Sequence, residues 1–234
     1  QQSTTIVPLP VSVIPVTDRS SAVGADEGYR AYYPWLPKSL GRLVHALNNL
    51  PLWFFVRGGR TILDVGCGVN SPVNYFVSRS QTMDGVDVVP EVLQRVQSAK
   101  YRHLYCGDIR SFSIPQAYDV VTALDVLEHF MKDEGALILE RLERAGRRVI
   151  VVPPNGFVPQ QVPGEPFQEP HSGWTAEAFS RRGYRVYGMF GPRWMRTGPA
   201  VVRYSPKAFW ALVALLSSLV YFWLPRRSFS LLAV

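Results

Sequence analysis

The stretch TILDVGCGVN, residues 61–70, most narrows what this chain can fold into. A β-branched, apolar run reaches an acid and then two glycines one residue apart, the pattern of a buried strand turning sharply into a helix. Gly66 and Gly68 have no Cβ, so the turn can be tight and a ligand can approach its backbone closely. Where a third glycine would follow stands Asn70, one of the few non-glycine residues that enter the left-handed region at modest cost. Ser71-Pro72 then supplies a cap and a first-turn proline for a helix. A pyrophosphate-binding fingerprint needs glycine at the sixth loop position counted from Gly66, and that position is Ser71, which counts against a nicotinamide-dependent oxidoreductase.

From residue 61 onward, short β-branched runs alternate with helical stretches. TILDVG, MDGVDVV, RHLYCGD, YDVVTAL, RRVIVVPP, RVYGMF and AVVRYS are the strand candidates. The spacing implies crossover connections and a mainly parallel sheet covered on both faces. PEVLQRVQSA (90–99) opens with proline at a first helical position. DVLEHFMKDEGALILERLERAG (125–146) reads as one broken or two short helices ending at Gly146, and WTAEAFSRRG (174–183) as a helix capped by Thr175 and stopped by Gly183. Upstream, residues 1–25 read as a loose proline-containing tail without the features of a signal peptide, and 26–58 as an aromatic and helical cover, with helical periodicity over 38–50. Residues 59–205 form the main domain and 206–234 an apolar helical segment.

The chain has 234 residues, room for one sizeable core, and a formal charge of +7. Its basic residues are scattered apart from short arginine pairs, so no phosphate-tracking stripe is visible and nucleic acid is a disfavoured partner. Two cysteines, Cys67 and Cys106, fall at strand ends rather than in paired, loop-rich spacing, which fits a reducing, cytoplasmic compartment.

Asp64, Gly66, Cys67 and Gly68 match the first motif of the class I S-adenosylmethionine-dependent methyltransferases, and the chain resembles that family over about residues 60–190. Three further stretches match in order. Asp87, 21 residues beyond Gly66, stands where the family's second-strand acid meets the ribose hydroxyls. Asp108 in YCGDIRSF matches the third-strand acid facing adenine, and YDVVTALDVLEHF matches the fourth strand and its helix. PNGF (154–157) and HSGWTAEAFSRRGYRV (171–186) are similar to the later segments of the type 11, ubiquinone-biosynthesis-like subgroup. The resemblance implies a Rossmann-like, doubly wound α/β fold with a mainly parallel seven-stranded sheet whose last strand is antiparallel. It implies S-adenosylmethionine as methyl donor, held by Asp64, Gly66, Cys67, Gly68, Asp87, Val88, Asp108, Ile109 and Leu124.

Methyl transfer from a sulfonium mostly needs an acceptor held in line in a dry pocket; a protein base helps when the acceptor is a hydroxyl or amine. His129 and His171 are the candidate bases, His129 the stronger because it follows the fourth strand, with Asp125 lining the transfer site. Asp125, Glu128 and His129 at i, i+3 and i+4 resemble an acid-x-x-Glu-His cluster that binds a divalent metal in some relatives. The favoured reading is a capping box between Asp125 and Glu128, with no metal. The Asp/Asn-Pro-Pro-aromatic motif of base-methylating enzymes is missing after the fourth strand, so the acceptor is read as the hydroxyl of a small molecule or a lipid- or glycan-linked group. A membrane-associated protein that binds the donor without turnover is the alternative.

KAFWALVALLSSLVYFWLPRR, residues 207–227, is uncharged from Ala208 to Pro225 and bracketed by Lys207 and Arg226-Arg227. Seventeen residues at about 1.5 Å each reach about 26 Å, marginal for a hydrocarbon core of about 30 Å. The segment fits a helix at a membrane surface and, equally, a helix packed against PLWFFV (51–56) or a partner subunit.

Overall fold

In this computed structural model the described residues are 12–14, 38–96, 100–159, 166–198 and 201–234. The core is one sheet whose strands alternate their side chains between two apolar layers. Ile62 points to one layer and Leu63 to the other; Val120 and Val121, Ile150 and Val151, and Leu232 and Leu231 divide the same way. Because both faces are covered, these strands read as continuous apolar runs rather than an apolar-polar alternation.

Five strands run parallel: β2 (Thr61–Val65), β3 (Thr82–Asp87), β4 (Tyr101–Cys106), β5 (Tyr118–Leu124) and β6 (Gly146–Val152). β1 (Ser12–Ile14) adds an antiparallel edge on β4, inside the stretch expected to be a loose tail. At the other edge, β10 (Ser228–Ala233) runs antiparallel to both β6 and β7 (Val186–Pro192). The order is β1-β4-β3-β2-β5-β6-β10-β7. The seven-stranded sheet with its last strand antiparallel is therefore present, with β1 as an eighth strand.

The last strand is not the one expected. AVVRYS contributes only β9 (Val201–Val202), which pairs with β8 (Arg196–Gly198) in a separate hairpin. The antiparallel strand is SFSLLA, within the segment read as helical, so the sheet extends past residue 205. Nothing local marks it: SFSLLA is six apolar and hydroxyl residues, and only the slot between β6 and β7 makes it a strand.

The first layer holds α4 (Lys132–Ala145) and α5 (Ala176–Arg181), through Ile138, Leu139, Leu142 and Phe179. As expected, Thr175 caps α5, its Oγ1 accepting from Ala178 N at 3.3 Å, and Gly183 at φ 91 ends the turn. The second layer holds α1 (Lys38–Val56), α2 (Val73–Phe76) and α3 (Pro90–Gln94). α1 continues through Pro51, so PLWFFV is its last part rather than a separate segment. α6 (Lys207–Tyr221) lies between β7 and β10 in the chain and packs along β7. Gly191, at φ 75, permits this approach: a Cβ there would meet the Ala214 carbonyl at 2.7 Å. Packed along β7, and with 15 residues giving about 22 Å, α6 is too short to span a bilayer. Among the described residues no helix is long and apolar enough to cross a membrane. The aromatic stretch 26–37 lies outside the described residues.

Candidate active site

In a doubly wound sheet the strand order reverses where successive crossovers begin to run the other way, and loops at the carboxyl ends there diverge to leave a crevice. Here β2, β3 and β4 step outward to one side while β5 and β6 step to the other, so the reversal lies between β2 and β5. A cavity of about 580 Å³ opens at these carboxyl ends. Gly66, Gly68, Asp87, Val88, Asp108, Ile109, Asp125, His129 and His171 line it.

The glycine turn is built by backbone geometry. Gly66 at φ 64 and Gly68 at φ 51 are both left-handed, and Gly66 N donates to Val86 O at 2.8 Å. Asn70 was expected to stand in for a third left-handed glycine. It does not: among the described residues only Asp125 and Phe190 are non-glycine residues at positive φ. The two glycines already turn the chain, so Asn70 needs no special conformation. The helix that follows is short, four residues, with Ser71 Oγ accepting from Val73 N at 3.3 Å.

Asp87 ends β3 and holds the turn in place. Its Oδ2 accepts from Gly68 N and its Oδ1 from Val89 N, both at 3.0 Å. Each carboxylate oxygen keeps a further lone pair for a ligand hydroxyl. Asp108 ends β4 in a fork with Arg110, at 2.9 Å from Nε and 2.6 Å from Nη2. Burial pushes the Asp108 carboxyl up, but the hydrogen bonds and charge of Arg110 outweigh it and hold the group below the usual carboxylate range. Val86, Val89 and Val92 add an apolar wall, and Phe167 and Gln168 overhang from a loop. Sequence reading missed Arg110 and this overhang. Arg110 had a signal in its place two residues beyond Asp108, whereas PFQ carries none.

Three residues expected at the donor do not line the cavity. Asp64 is buried beneath the turn, where its oxygens accept from Tyr101 Oη and Thr122 Oγ1, each at 2.7 Å. Burial raises its pKa, and the hydroxyl partners counter only part of that. Cys67 turns its thiol into the core, where burial pushes its pKa well up. Leu124 packs half-buried against the second apolar layer. Asp64 on β2, Leu124 at the end of β5 and Cys67 in the turn each direct their side chains into a layer rather than along the strand axis, so motif membership and ligand contact separate at these positions.

The capping box between Asp125 and Glu128 is not formed. Asp125 sits at φ 50, outside any helix, and the single turn Leu127–His129 is capped by no side chain. The helix proper starts at Lys132, where Met131 N donates to Glu134 Oε2 at 3.4 Å. Glu128 instead points inward, 5% exposed, with its Oε2 buried and unpartnered, while its carbonyl accepts from His171 N at 2.7 Å and Ser172 N at 3.0 Å. Glu128 thus ties the His171 loop to the end of β5. Asp125 is exposed and faces the cavity, so its carboxylate stays open to solvent and to a ligand. Burial, reinforced by Asp125, holds Glu128 well above the usual range. Among the described residues no group of three or more His, Cys, Asp or Glu side chains is placed to hold a metal ion.

His129 Nδ1 lies 3.3 Å from the Glu169 carbonyl, which can only accept, so Nδ1 carries the proton and Nε2 the lone pair. Burial lowers the His129 pKa, only partly opposed by hydrogen bonds to Glu169 and Asp125, and His171 nearby lowers it further. The imidazole is neutral at pH 7 and can accept a proton.

Residues 63–148 match the model of the Methyltransf_11 family, described as a methyltransferase domain. Among curated proteins, the ubiquinone biosynthesis O-methyltransferase of Nitrosomonas europaea is 31% identical over 133 residues, covering 50% of this chain and 55% of its own length. The mitochondrial enzyme of the same name from Schizosaccharomyces pombe is 27% identical over 128 residues, covering 47% and 46%. The chain thus spans about half the length of the curated relatives it matches. Among solved structures, the plantazolicin methyltransferase BpumL in complex with SAH shares the fold over 93% of this chain and 91% of its own, at 16% identity and a TM-score of 0.50. The N-terminal domain of EvdMO1, determined with SAH and D-fucose, shares it over 61% and 74%, at 11% identity and a TM-score of 0.50. Residues 63–148 thus carry a methyltransferase domain, and the sheet order, glycine turn and strand-end acids around it are those of the class I S-adenosylmethionine-dependent methyltransferase fold.

Proposed function

We propose that this protein transfers a methyl group from S-adenosylmethionine to the hydroxyl of a small-molecule acceptor. The carrying observation is that one cavity is lined by the Gly66–Gly68 turn together with strand-end acids Asp87 and Asp108. The donor fits this chemistry: the turn offers bare backbone, Asp87 offers acceptors for vicinal hydroxyls, and Val86, Val88 and Ile109 offer apolar walls for a flat ring. When bound, the donor supplies an activated methyl group whose leaving group is a neutral thioether. The chain's own residues position and dehydrate the acceptor, and neutral His129 takes the acceptor's proton at Nε2. His171, on the loop fastened to Glu128, closes the same wall. Asp125 lines the transfer site, where its carboxylate can accept a hydrogen bond from the acceptor hydroxyl.

The relatives named for ubiquinone biosynthesis and the apolar surface around 207–227 together support a lipid-like acceptor met at a membrane surface. Two buried cysteines that form no disulfide support a reducing, cytoplasmic setting. The test is calorimetric titration with S-adenosylhomocysteine, with NAD and NADH as controls. Binding of S-adenosylhomocysteine alone, lost in Asp87→Ala, is the expected result. Binding of a nicotinamide nucleotide instead, or of nothing, overturns the assignment.

A further inference from the structure

Two helices from opposite ends of the chain each expose a stripe of large apolar side chains, although Leu52, Phe55 and Val56 of α1 pack inward. In α1, Leu40, Leu43, Leu47, Leu50 and Phe54 are exposed, spaced as one continuous stripe, while His45, Asn48 and Asn49 are buried beneath them. In α6 and the turn just after it, Phe209, Leu212, Leu216, Leu219 and Trp223 repeat the same spacing outward, with Leu219 76% and Trp223 71% exposed, while Ala211 and Ala214 face the protein with Trp210 and Val213 partly buried beside them. A soluble helix puts its large apolar side chains inward, and scattered exposed leucines need no explanation, but two aligned stripes do. The two helices that carry the stripes are neighbours. α1 and α6 touch, and Phe55 stacks on Tyr187 at 5.6 Å, which stacks on Phe222 at 4.6 Å.

Charge segregates onto the same segments. Residues 28–63 hold five basic and no acidic side chains, and residues 178–234 hold nine and none. The rest of the chain holds eleven basic and eighteen acidic, so the net charge of +7 conceals two acid-free cationic segments on a chain that is otherwise negative. At the end of α6, a cavity of about 650 Å³ is lined by Trp223, Ser180, Arg181, Arg226 and Arg227, with Arg226 held by Glu177 at 2.5 Å. Arg57 lies over the Trp53 and Phe54 rings at the end of α1.

We propose that α1 and α6 together form one face that docks the protein on an anionic lipid bilayer, with both apolar stripes in the interfacial layer and the flanking arginines among the headgroups. This rests on the membrane contact proposed for 207–227 and extends it to a two-helix face with a required lipid charge. A second copy of the chain suits the face poorly, since an isologous interface would press one net-cationic patch, with Glu177 as an acid at its edge, against another. A face this short and tied to the sheet lies on the bilayer rather than crossing it.

The experiment is flotation of the full chain with vesicles of phosphatidylcholine alone or with phosphatidylglycerol, alongside light scattering for mass and S-adenosylhomocysteine titration for site integrity. Leu216→Ser/Leu219→Ser on α6 and Leu43→Ser/Leu47→Ser on α1 replace exposed side chains, so neither should disturb folding, which circular dichroism checks. The wild type is expected to float only with phosphatidylglycerol, and each double variant to bind at least about tenfold more weakly. Arg226→Glu/Arg227→Glu should lose binding likewise, and added salt should weaken the wild type. If the α6 variant loses binding and the α1 variant does not, the two-helix face is wrong while the contact at 207–227 stands. Equal flotation with phosphatidylcholine alone overturns the charge requirement. A stable dimer without vesicle binding overturns both, and donor titration reports on the methyltransferase reading independently of either.

Discussion

Gly66→Ala probes the glycine turn through two separable penalties. At φ 64 an alanine takes the left-handed region, which costs about 1–2 kcal/mol. Its Cβ would also stand 2.5 Å from Val126 Cγ2, where apolar contacts rest at about 3.5–4.0 Å. Val126 is buried and β-branched, so it cannot rotate away cheaply, and overpacking of this kind costs about 1–3 kcal/mol. The sum is about 2–5 kcal/mol, a fall of about 5–15 °C in Tm for a chain of this size. Val126→Ala removes the obstructing methyl groups but leaves the backbone penalty untouched. In a double-mutant cycle by urea denaturation, the double variant should therefore be less destabilised than the two single variants added, by about 1–3 kcal/mol. S-adenosylhomocysteine affinity should fall in Gly66→Ala and return only in part in the double variant. Strict additivity would refute the reasoning, because the added Cβ would then not be meeting Val126.

Asp84 is 1% exposed and accepts from Tyr118 Oη at 2.7 Å and from Arg102 Nη2 at 2.6 Å. Burial pushes its carboxyl up, but Arg102 and Tyr118 pull it below the ordinary value, so its stabilisation is present above the unfolded pKa and is lost as pH falls through the folded one. Tyr118→Phe should therefore cost about 1.5–3 kcal/mol at pH 7, with the gap from wild type narrowing towards pH 3, as urea denaturation at the two pH values would show. Asn155 Nδ2 reaches the carbonyls of Pro225, Arg226 and Ser228 at 3.0–3.2 Å. Asn155→Ala should cost about 2 kcal/mol and speed amide exchange in β10 before the rest of the sheet. The Cys67 thiol, buried and raised in pKa, should resist iodoacetamide at pH 8 in the folded protein and react once urea unfolds it.

Much of the site was legible because its signals are short-range. A strand running into Gly66 and Gly68, and acids at the ends of the next two strands, declare themselves within a few residues. The misreadings share a cause. Asp64 and Cys67 belong to the motif but face the layers, since side-chain direction at a strand's end depends on where the pleat meets the turn. The spacing of Asp125 and Glu128 fits a capping box only if a helix starts there, and Asp125 at φ 50 shows that the chain turns first.

The order of strands and helices, the glycine turn and the absence of acids from residues 28–63 and 178–234 are properties of the sequence by itself. They follow from backbone preference, hydrophobic period and charge, which need no distant neighbour. Tertiary structure alone decided that SFSLLA fills the slot between β6 and β7, that Glu128 turns inward beneath the cavity, and that α1 and α6 each expose a stripe of leucines while Leu52 packs inward. Periodicity tells that a helix has an apolar face, but which face is buried depends on what lies beneath it. Under α6 that is Gly191 and the backbone of β7, a surface only alanines can approach.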